Sequence, residues 1–425
     1  MQTRRPLAGA ERAVLAILAA GVVVIPILYS SGIDVFRLPK ELAFRAEAIL
    51  LLAAAAFWAT APRRTWPLDA PVVIPSAIVA WTAVTTLTST NRALSVDSLI
   101  TVAAAAVIFI VTCVAARATS MIAVDVLMVG ACANAAMAIL QELEIWTPFR
   151  HDIANIGHYG SVGFVGNAND VGMLLAGPAL AAFAVAVIAS GRRRWIYAAV
   201  CALLAAGLVA SATRTALGAF VVGLLLLGLR HSRRAAIAVA AIVIVFALAA
   251  ISARTTLGDR VRELRKAAAT RDYELLFSER LLPFLAAVDM VRDHPIVGVG
   301  PACFHYQFMR YRLALGERYP KEWTRGFPGN WGAVHNDHLQ VAAETGVPGY
   351  LLFLGAMALA VRWRRGRETA RPRGLETSFA RAMRWPFAVL VFVLCLAQFP
   401  LQVAAPRLLL LTLGALCITW DDGDA

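Results

Sequence analysis

The residues best equipped to do chemistry gather in one stretch, Ala333 to Gly349, AVHNDHLQVAAETGVPG. His335 is followed by Asn336, nine further residues, and then Gly346-Val347-Pro348-Gly349. An imidazole accepts a proton near neutral pH, and a helix start holds it in a fixed pose. Asn336 is placed either to cap the following helix or to orient the histidine, and these two residues alone read most simply as an interfacial cap pair. Gly346 and Gly349, one turn apart around Pro348, spell a kink with close helix packing, which shapes a site without reacting. His338 follows His335 by one turn with Asp337 between. A metal site needs three or four converging ligands. His294 and His305 in the preceding segment do not complete such a spacing, so no metal is expected and His338 is assigned to the polar lining of a substrate site.

Two arginines stand out next. Arg214, in SATRTALGAF, sits at the tight junction of two apolar runs. A charge at membrane depth is expensive and is a functional candidate by default, against the alternative of snorkelling to a headgroup. Arg280 opens the run RLLPFLAAVDMVR. Guanidinium is a two-pronged ligand for phosphate, although Arg280 by itself reads as a solvated loop charge. The segment His158 to Asn169, HYGSVGFVGNAN, combines glycines with Asn167 and Asn169 and offers exposed backbone amides. No strand precedes it, so it is not a nucleotide fingerprint. Lys40, beside Pro39, is either an anchor at the membrane surface or a further contact for an anionic lipid.

These residues must be positioned by membrane helices. The 425 residues are 60% hydrophobic and 16% charged, with a mean hydropathy of +0.68. Soluble domains are about 45–50% apolar and about 25% charged, so a soluble α/β fold is excluded. The formal charge of +13 points to cytoplasmic anchoring of loops, and no nucleic-acid partner is expected. The six cysteines are scattered, five in apolar runs and Cys303 in a polar loop, with neither a disulfide framework nor a zinc spacing. The first apolar run follows Arg4, Arg5 and Arg12 like a signal peptide. It lacks a clear cleavage site and is expected to persist as a first helix.

Runs of roughly 20 apolar residues predict about twelve transmembrane helices, near 13–31, 42–61, 71–89, 98–116, 120–141, 168–190, 195–212, 214–229, 235–252, 338–361, 383–400 and 404–420. The expected architecture is an all-α integral membrane protein, a single polytopic domain over 1–425. With a cytoplasmic N-terminus, arginine-rich loops alternate onto the cytoplasmic side, including Arg192 to Arg194 and the run from Arg362 to Arg384. Two outward loops remain, 142–167 and 253–336. The second, between predicted helices nine and ten, is too long to be structureless. Its stretches Asp259 to Thr270 and Ser278 to Arg292 have helical spacing, with Ser278 as a candidate cap. The chain then turns at His294-Pro295 and passes Gly298 and Gly300.

In combination these pieces resemble the superfamily of O-antigen ligases and O-antigen polymerases, bacterial envelope glycosyltransferases. The resemblance covers about residues 155 to 405. Its mark is His followed by Asn, Ser or Gln, nine residues, and Gly-x-x-Gly, met by His335-Asn336 and Gly346 to Gly349. Gly166-Asn167-Ala168-Asn169, Thr213-Arg214, Arg280 and the turn Pro295-Ile296-Val297-Gly298-Val299-Gly300 follow the family's order on one predicted face. The resemblance implies a donor glycan on undecaprenyl diphosphate, presented at the periplasmic face of the bacterial inner membrane. It implies a metal-independent transfer without cofactors. Arg214 and Arg280 would hold the diphosphate, and His335 would deprotonate or orient the incoming hydroxyl. Asn336, Asn167, Asn169, His338 and Lys40 would contribute to substrate binding, and Gly346, Gly349, Gly298 and Gly300 to shape. The acceptor would be a sugar of lipid A core, another lipid-linked glycan or a protein hydroxyl, and the length without a soluble appendage favours the ligase. A transporter for a lipid-linked glycan would use the arginines but no base. A structural scaffold would leave the clustered outward motifs without a purpose.

Overall fold

The computed structural model describes residues 9–30, 34–59, 70–116, 119–149, 161–231, 237, 239, 256–270, 272, 276–277, 280–319, 330–362 and 374–419. Among these, the secondary structure is fourteen α-helices and one short 3-10 turn. The first eight helices are α1 (Gly9–Ile27), α2 (Arg37–Ala59), α3 (Ala70–Leu87), α4 (Arg92–Ala116), α5 (Ile122–Glu142), α6 (Ala168–Ile188), α7 (Gly191–Ala210) and α8 (Arg214–His231). A loop region follows with α9 (Thr256–Thr270), α10 (Leu281–Asp293) and α11 (Phe304–Arg318). The chain ends in α12 (Asp337–Arg362), α13 (Leu375–Ala397), the 3-10 turn Pro400–Gln402 and α14 (Ala404–Thr419). Nine of the described helices are long and apolar enough to cross a membrane, and the chain is an all-α, multi-pass membrane protein. The expected spans fall on α1 to α8 and α12 to α14, but α2 and α14 are not among the nine, and the span expected over 235–252 lies, apart from residues 237 and 239, outside the described residues.

The bundle is organised around α6, which has no polar stripe and has 15 of its 21 residues buried. A helix with no polar stripe has nowhere to lie but the interior. It packs against α5, α7, α8, α13 and α14. Close approach is secured by glycine. A Cβ at Gly172 would stand 2.5 Å from that of Thr213, so the start of α8 can sit against α6 only because that side chain is missing.

The helices between α8 and α12 include a small unit of their own. Leu282, Ala286 and Met290 of α10 and Phe304, Phe308 and Leu315 of α11 share one core with Val299 and with Ala343 of α12. Asp289 ties the two loop helices, pairing with Arg292 at 3.2 Å and Arg318 at 2.8 Å. The helix expected from Ser278 begins instead at Leu281 with Arg280 in the capping position, and Ser278 lies outside the described residues.

The two glycine motifs of the sequence prove to be halves of one joint. α12 breaks at Gly346, whose φ is +71°. The break leaves carbonyls without partners within the helix, and the Pro295 to Gly300 turn fills the gap. Val299 and Gly300 donate their amides to the carbonyls of Ala343 and Glu344 at 2.9 and 3.0 Å, and Val347 donates to the carbonyl of Pro295 at 2.8 Å. A Cβ at Gly298 would lie 2.4 Å from the carbonyl carbon of Glu344, and one at Gly346 would lie 2.1 Å from the Ile296 oxygen. The Glu344 carboxylate completes the joint by accepting from the amides of Ala302 at 2.9 Å and Phe304 at 3.3 Å, which fastens the start of α11. Gly346→Ala combines a left-handed backbone with a collision against main chain. It should destabilise the folded state by at least ~3 kcal/mol, read as a lowered midpoint in thermal unfolding of the detergent-solubilised protein.

Candidate active site

The starts of α2, α6, α8, α10 and α12 meet at one end of the bundle, around the corner that joins α13 to α14. The links can be followed residue by residue. Arg37 at the start of α2 pairs with the fully buried Asp170 in the first turn of α6 at 3.1 Å. Thr213, just before α8, donates its hydroxyl to the carbonyl of Ala168 at 2.9 Å. Gln398 in the corner donates to the side chain of Asn169 at 3.4 Å, and its carbonyl accepts the amide of Asp337 at 3.2 Å. Arg280, before α10, donates from Nη1 to the carbonyl of Ala397 at the end of α13, at 2.6 Å.

Each helix start carries partial positive charge from its unpaired amides, and three arginines add full charges. Arg214 acts electrostatically on Arg280, and Arg280 and Arg37 both act on His335. Burial, together with Arg214, lowers the Arg280 pKa to about 10. Arg37 is paired with the carboxylate of Asp170. A cluster of helix starts and guanidinium groups is the kind of surroundings that recognises phosphate.

His335 stands at the edge of this field. Its ring lies edge-on between Trp331, 5.2 Å away, and Phe399, 4.5 Å away, both nearly perpendicular to it. Phe399 also carries the guanidinium of Arg37 over its face at 5.7 Å. The His335 Nδ1 is buried and has no hydrogen-bond partner. The backbone of His335 is left-handed, with φ +59°, a conformation that non-glycine residues hold only when their surroundings impose it. Burial, then Arg280 and Arg37, push its pKa well below the ordinary histidine range. The imidazole is thus neutral, cradled by rings, and keeps a free lone pair or proton in a cationic chamber.

The neighbours of His335 position it. Asn336 accepts the amide of Leu339 at 3.0 Å and so caps α12. Asp337 is fully buried, and its carboxylate accepts from the amide of Leu401 at 3.1 Å and the side chain of Gln402 at 3.4 Å. It thereby clamps the corner that presents Phe399 to His335. In Asp337→Ala, kcat should fall about 10–100-fold with donor binding little changed, because a shift of the corner misplaces the ring while Arg37, Arg214 and Arg280 stay in place. Equilibrium binding beside a rate assay separates the two effects.

The site residues expected from the sequence do not all meet. Arg214, Arg280 and His335 come together. Asn167 caps α6 by accepting the amide of Asn169 at 2.8 Å, and Asn169 reaches Gln398, so this pair holds the chamber wall. Gly298, Gly300, Gly346 and Gly349 form or flank the joint below it. His338 turns into the bundle instead, its Nε2 at 3.2 Å from the carbonyl of Phe392 and its Nδ1 at 3.3 Å from the Tyr350 hydroxyl. Lys40 is 2% exposed, and its ammonium is engaged by the carbonyls of Leu28, Phe36 and Phe164. It staples the entry of α2 to the segment before α6. Local spacing does not mark Arg37, Asp170, Trp331, Gln398 or Phe399. The one hint for Arg37 is that Asp34 caps its helix start, accepting its amide at 2.9 Å.

No curated protein matches the chain. Residues 199–354 match the family described as O-Antigen ligase. The matched span contains Arg214, Arg280, His335 and both glycine motifs, whereas Arg37, Asp170 and the corner at Phe399 lie beyond it. The motifs and the match agree over this segment, which is similar to the O-Antigen ligase family.

Proposed function

We propose that the protein transfers a glycan from undecaprenyl diphosphate to an acceptor hydroxyl at the periplasmic face of the inner membrane, with a sugar of lipid A core as the preferred acceptor. The observation that carries this reading is the unpartnered, buried Nδ1 of a neutral His335 beside Arg37, Arg214 and Arg280. In the proposed reaction the donor's diphosphate lies against the arginines. The acceptor hydroxyl approaches His335, and its oxygen attacks the anomeric carbon as the imidazole takes its proton. The bond from that carbon to the diphosphate oxygen breaks, and the departing lipid diphosphate keeps the electron pair. Charge grows on the oxygen that the arginines face, so their stabilisation is strongest in the transition state, where it accelerates the step. A single displacement inverts the anomeric centre. A lipid-linked glycan transporter would need the cations but would gain nothing from a neutral base with an open nitrogen.

The test uses the purified chain in lipid nanodiscs with a glycan on undecaprenyl diphosphate and EDTA throughout. Lipid A core is supplied in one arm and further donor alone in another, with products resolved on a gel. Transfer to lipid A core that is lost in His335→Ala and Arg214→Ala supports the ligase reading. Chain growth from donor alone makes the protein a polymerase with the same chemistry. Absence of transfer in both arms, with donor still bound, rejects both and directs the search to a protein hydroxyl.

A further inference from the structure

A second cavity lies inside the bundle, away from His335. Helices α3, α4, α14, α13 and α12 pack in a closed ring, each against the next and the last against the first. They line a half-open cavity of about 320 Å³, roughly twice the ~150 Å³ of an apolar cavity that holds benzene. One end is polar, with Ser98, Thr101, Gln402 and Arg407. The other is apolar, with Phe109, Leu359 and Ile418. Between them the wall is thinned by small residues, including Gly349, Ala356 and Gly414. The corner Phe399 to Gln402 separates this space from the anion chamber, since Phe399 faces His335 while Leu401 and Gln402 line the cavity.

The dimensions point to an occupant. From Arg407 to Ile418 is eleven residues of α14, about 17 Å at ~1.5 Å per residue. The mean cross-section is then about 19 Å² over that ~17 Å, the girth of one hydrocarbon chain. The length matches one leaflet of a bilayer, ~15 Å, half of the ~30 Å core. The polar end suits an ester group better than a diphosphate. Arg407 is already paired there with Glu41 at 2.5 Å, and Glu41 also pairs with Arg45 at 3.3 Å, which in turn pairs with Asp97 at 2.6 Å.

We propose that this ring is a binding site for one fatty-acyl chain of a bilayer phospholipid, with the ester end at Thr101 and Gln402 and the chain running toward Ile418. The site is independent of the proposed transfer reaction. A largely apolar, half-open groove of this size is hydrated unfavourably and leaves part of its lining short of contacts. A chain supplies those contacts and props α12 beneath the joint at Gly346.

The test uses the full chain in nanodiscs containing a phosphatidylethanolamine with a photoreactive diazirine midway along one acyl chain, followed by peptide mapping. Adducts are expected in 352–357 and 410–414, competed by unlabelled phospholipid and not by undecaprenyl phosphate. Gly414→Phe and Ala356→Phe, which fill the tube, should reduce those adducts about tenfold while labelling at the exposed Leu50 and Leu52 persists. Competition by undecaprenyl phosphate alone would overturn the proposal in favour of a prenyl occupant. Labelling confined to outward-facing residues would overturn it outright. The competition arm is run on the unsubstituted protein, so the outcome does not depend on either variant folding.

Discussion

Transfer by His335→Ala falls by about 10²–10⁴-fold, the range of a positioned general base, while the donor remains bound. The loss falls on kcat, because the diphosphate is held by arginines and the imidazole acts only as the acceptor oxygen is deprotonated. Backbone strain must be separated from chemistry, since His335 has φ +59°. Asparagine tolerates that region better than alanine, so His335→Asn should fold normally and show the same loss. A His335→Asn variant with near-normal transfer would exclude the histidine as base. The pH dependence follows from the same field. Burial, Arg280 and Arg37 hold the His335 pKa well below its usual value. The base is therefore neutral from about pH 6.5 upward, and the rate is flat there. It declines only as acid protonates the ring at lower pH. Arg280→Gln removes one of the cations that disfavour the charged ring. His335 then titrates closer to its ordinary value, and the acid limb moves to higher pH in whatever activity remains.

Arg280→Ala carries the second large loss, about 10²–10³-fold in kcat, comparable to removing one preorganised donor for a developing anion. Two functions go at once, the charge and the bond to the Ala397 carbonyl. Arg280→Lys keeps the charge without the fork and should recover only part of the rate. Arg214→Ala should behave similarly. The double variant should lose less than the product of the single losses, because both groups are assigned to one leaving diphosphate and act as a unit. Losses that multiply fully would mean that the two arginines serve different parts of the reaction.

The parts of this architecture that could be read in the sequence are those fixed by local spacing. Apolar runs of bilayer length announced the helices. His335 and the Gly346–Gly349 pair marked the candidate stretch, and Arg214 and Arg280 were visible as cations near helix starts. What escaped is set by distance along the chain. Arg37 looks like any basic residue at a helix end, and its place follows from Asp170, 133 positions away. The start of α2 was placed several residues late because Arg37, Lys40 and Glu41 interrupt the apolar run. Those charges are instead satisfied by pairs and carbonyls within the bundle. Lys40 read as an outward contact for the same reason, since three backbone carbonyls drawn from separate segments leave no mark in the sequence. Gly298 and Gly346 were each legible as turn or kink, but the docking of one into the other joins segments that only the fold brings side by side.

The joint at Gly346 also determines what can move. Arg280 precedes α10, which leads into the turn bonded to α12, and His335 precedes α12 itself. The proposed anion holder and base are thus mounted on one frame, fastened by main-chain bonds and by the buried Glu344 carboxylate. A loop built this way cannot serve as a lid that brings the two together on demand. Their separation is set when the chain folds, and selectivity among hydroxyls must come from how an incoming acceptor fits an aperture whose chemical jaws are already fixed.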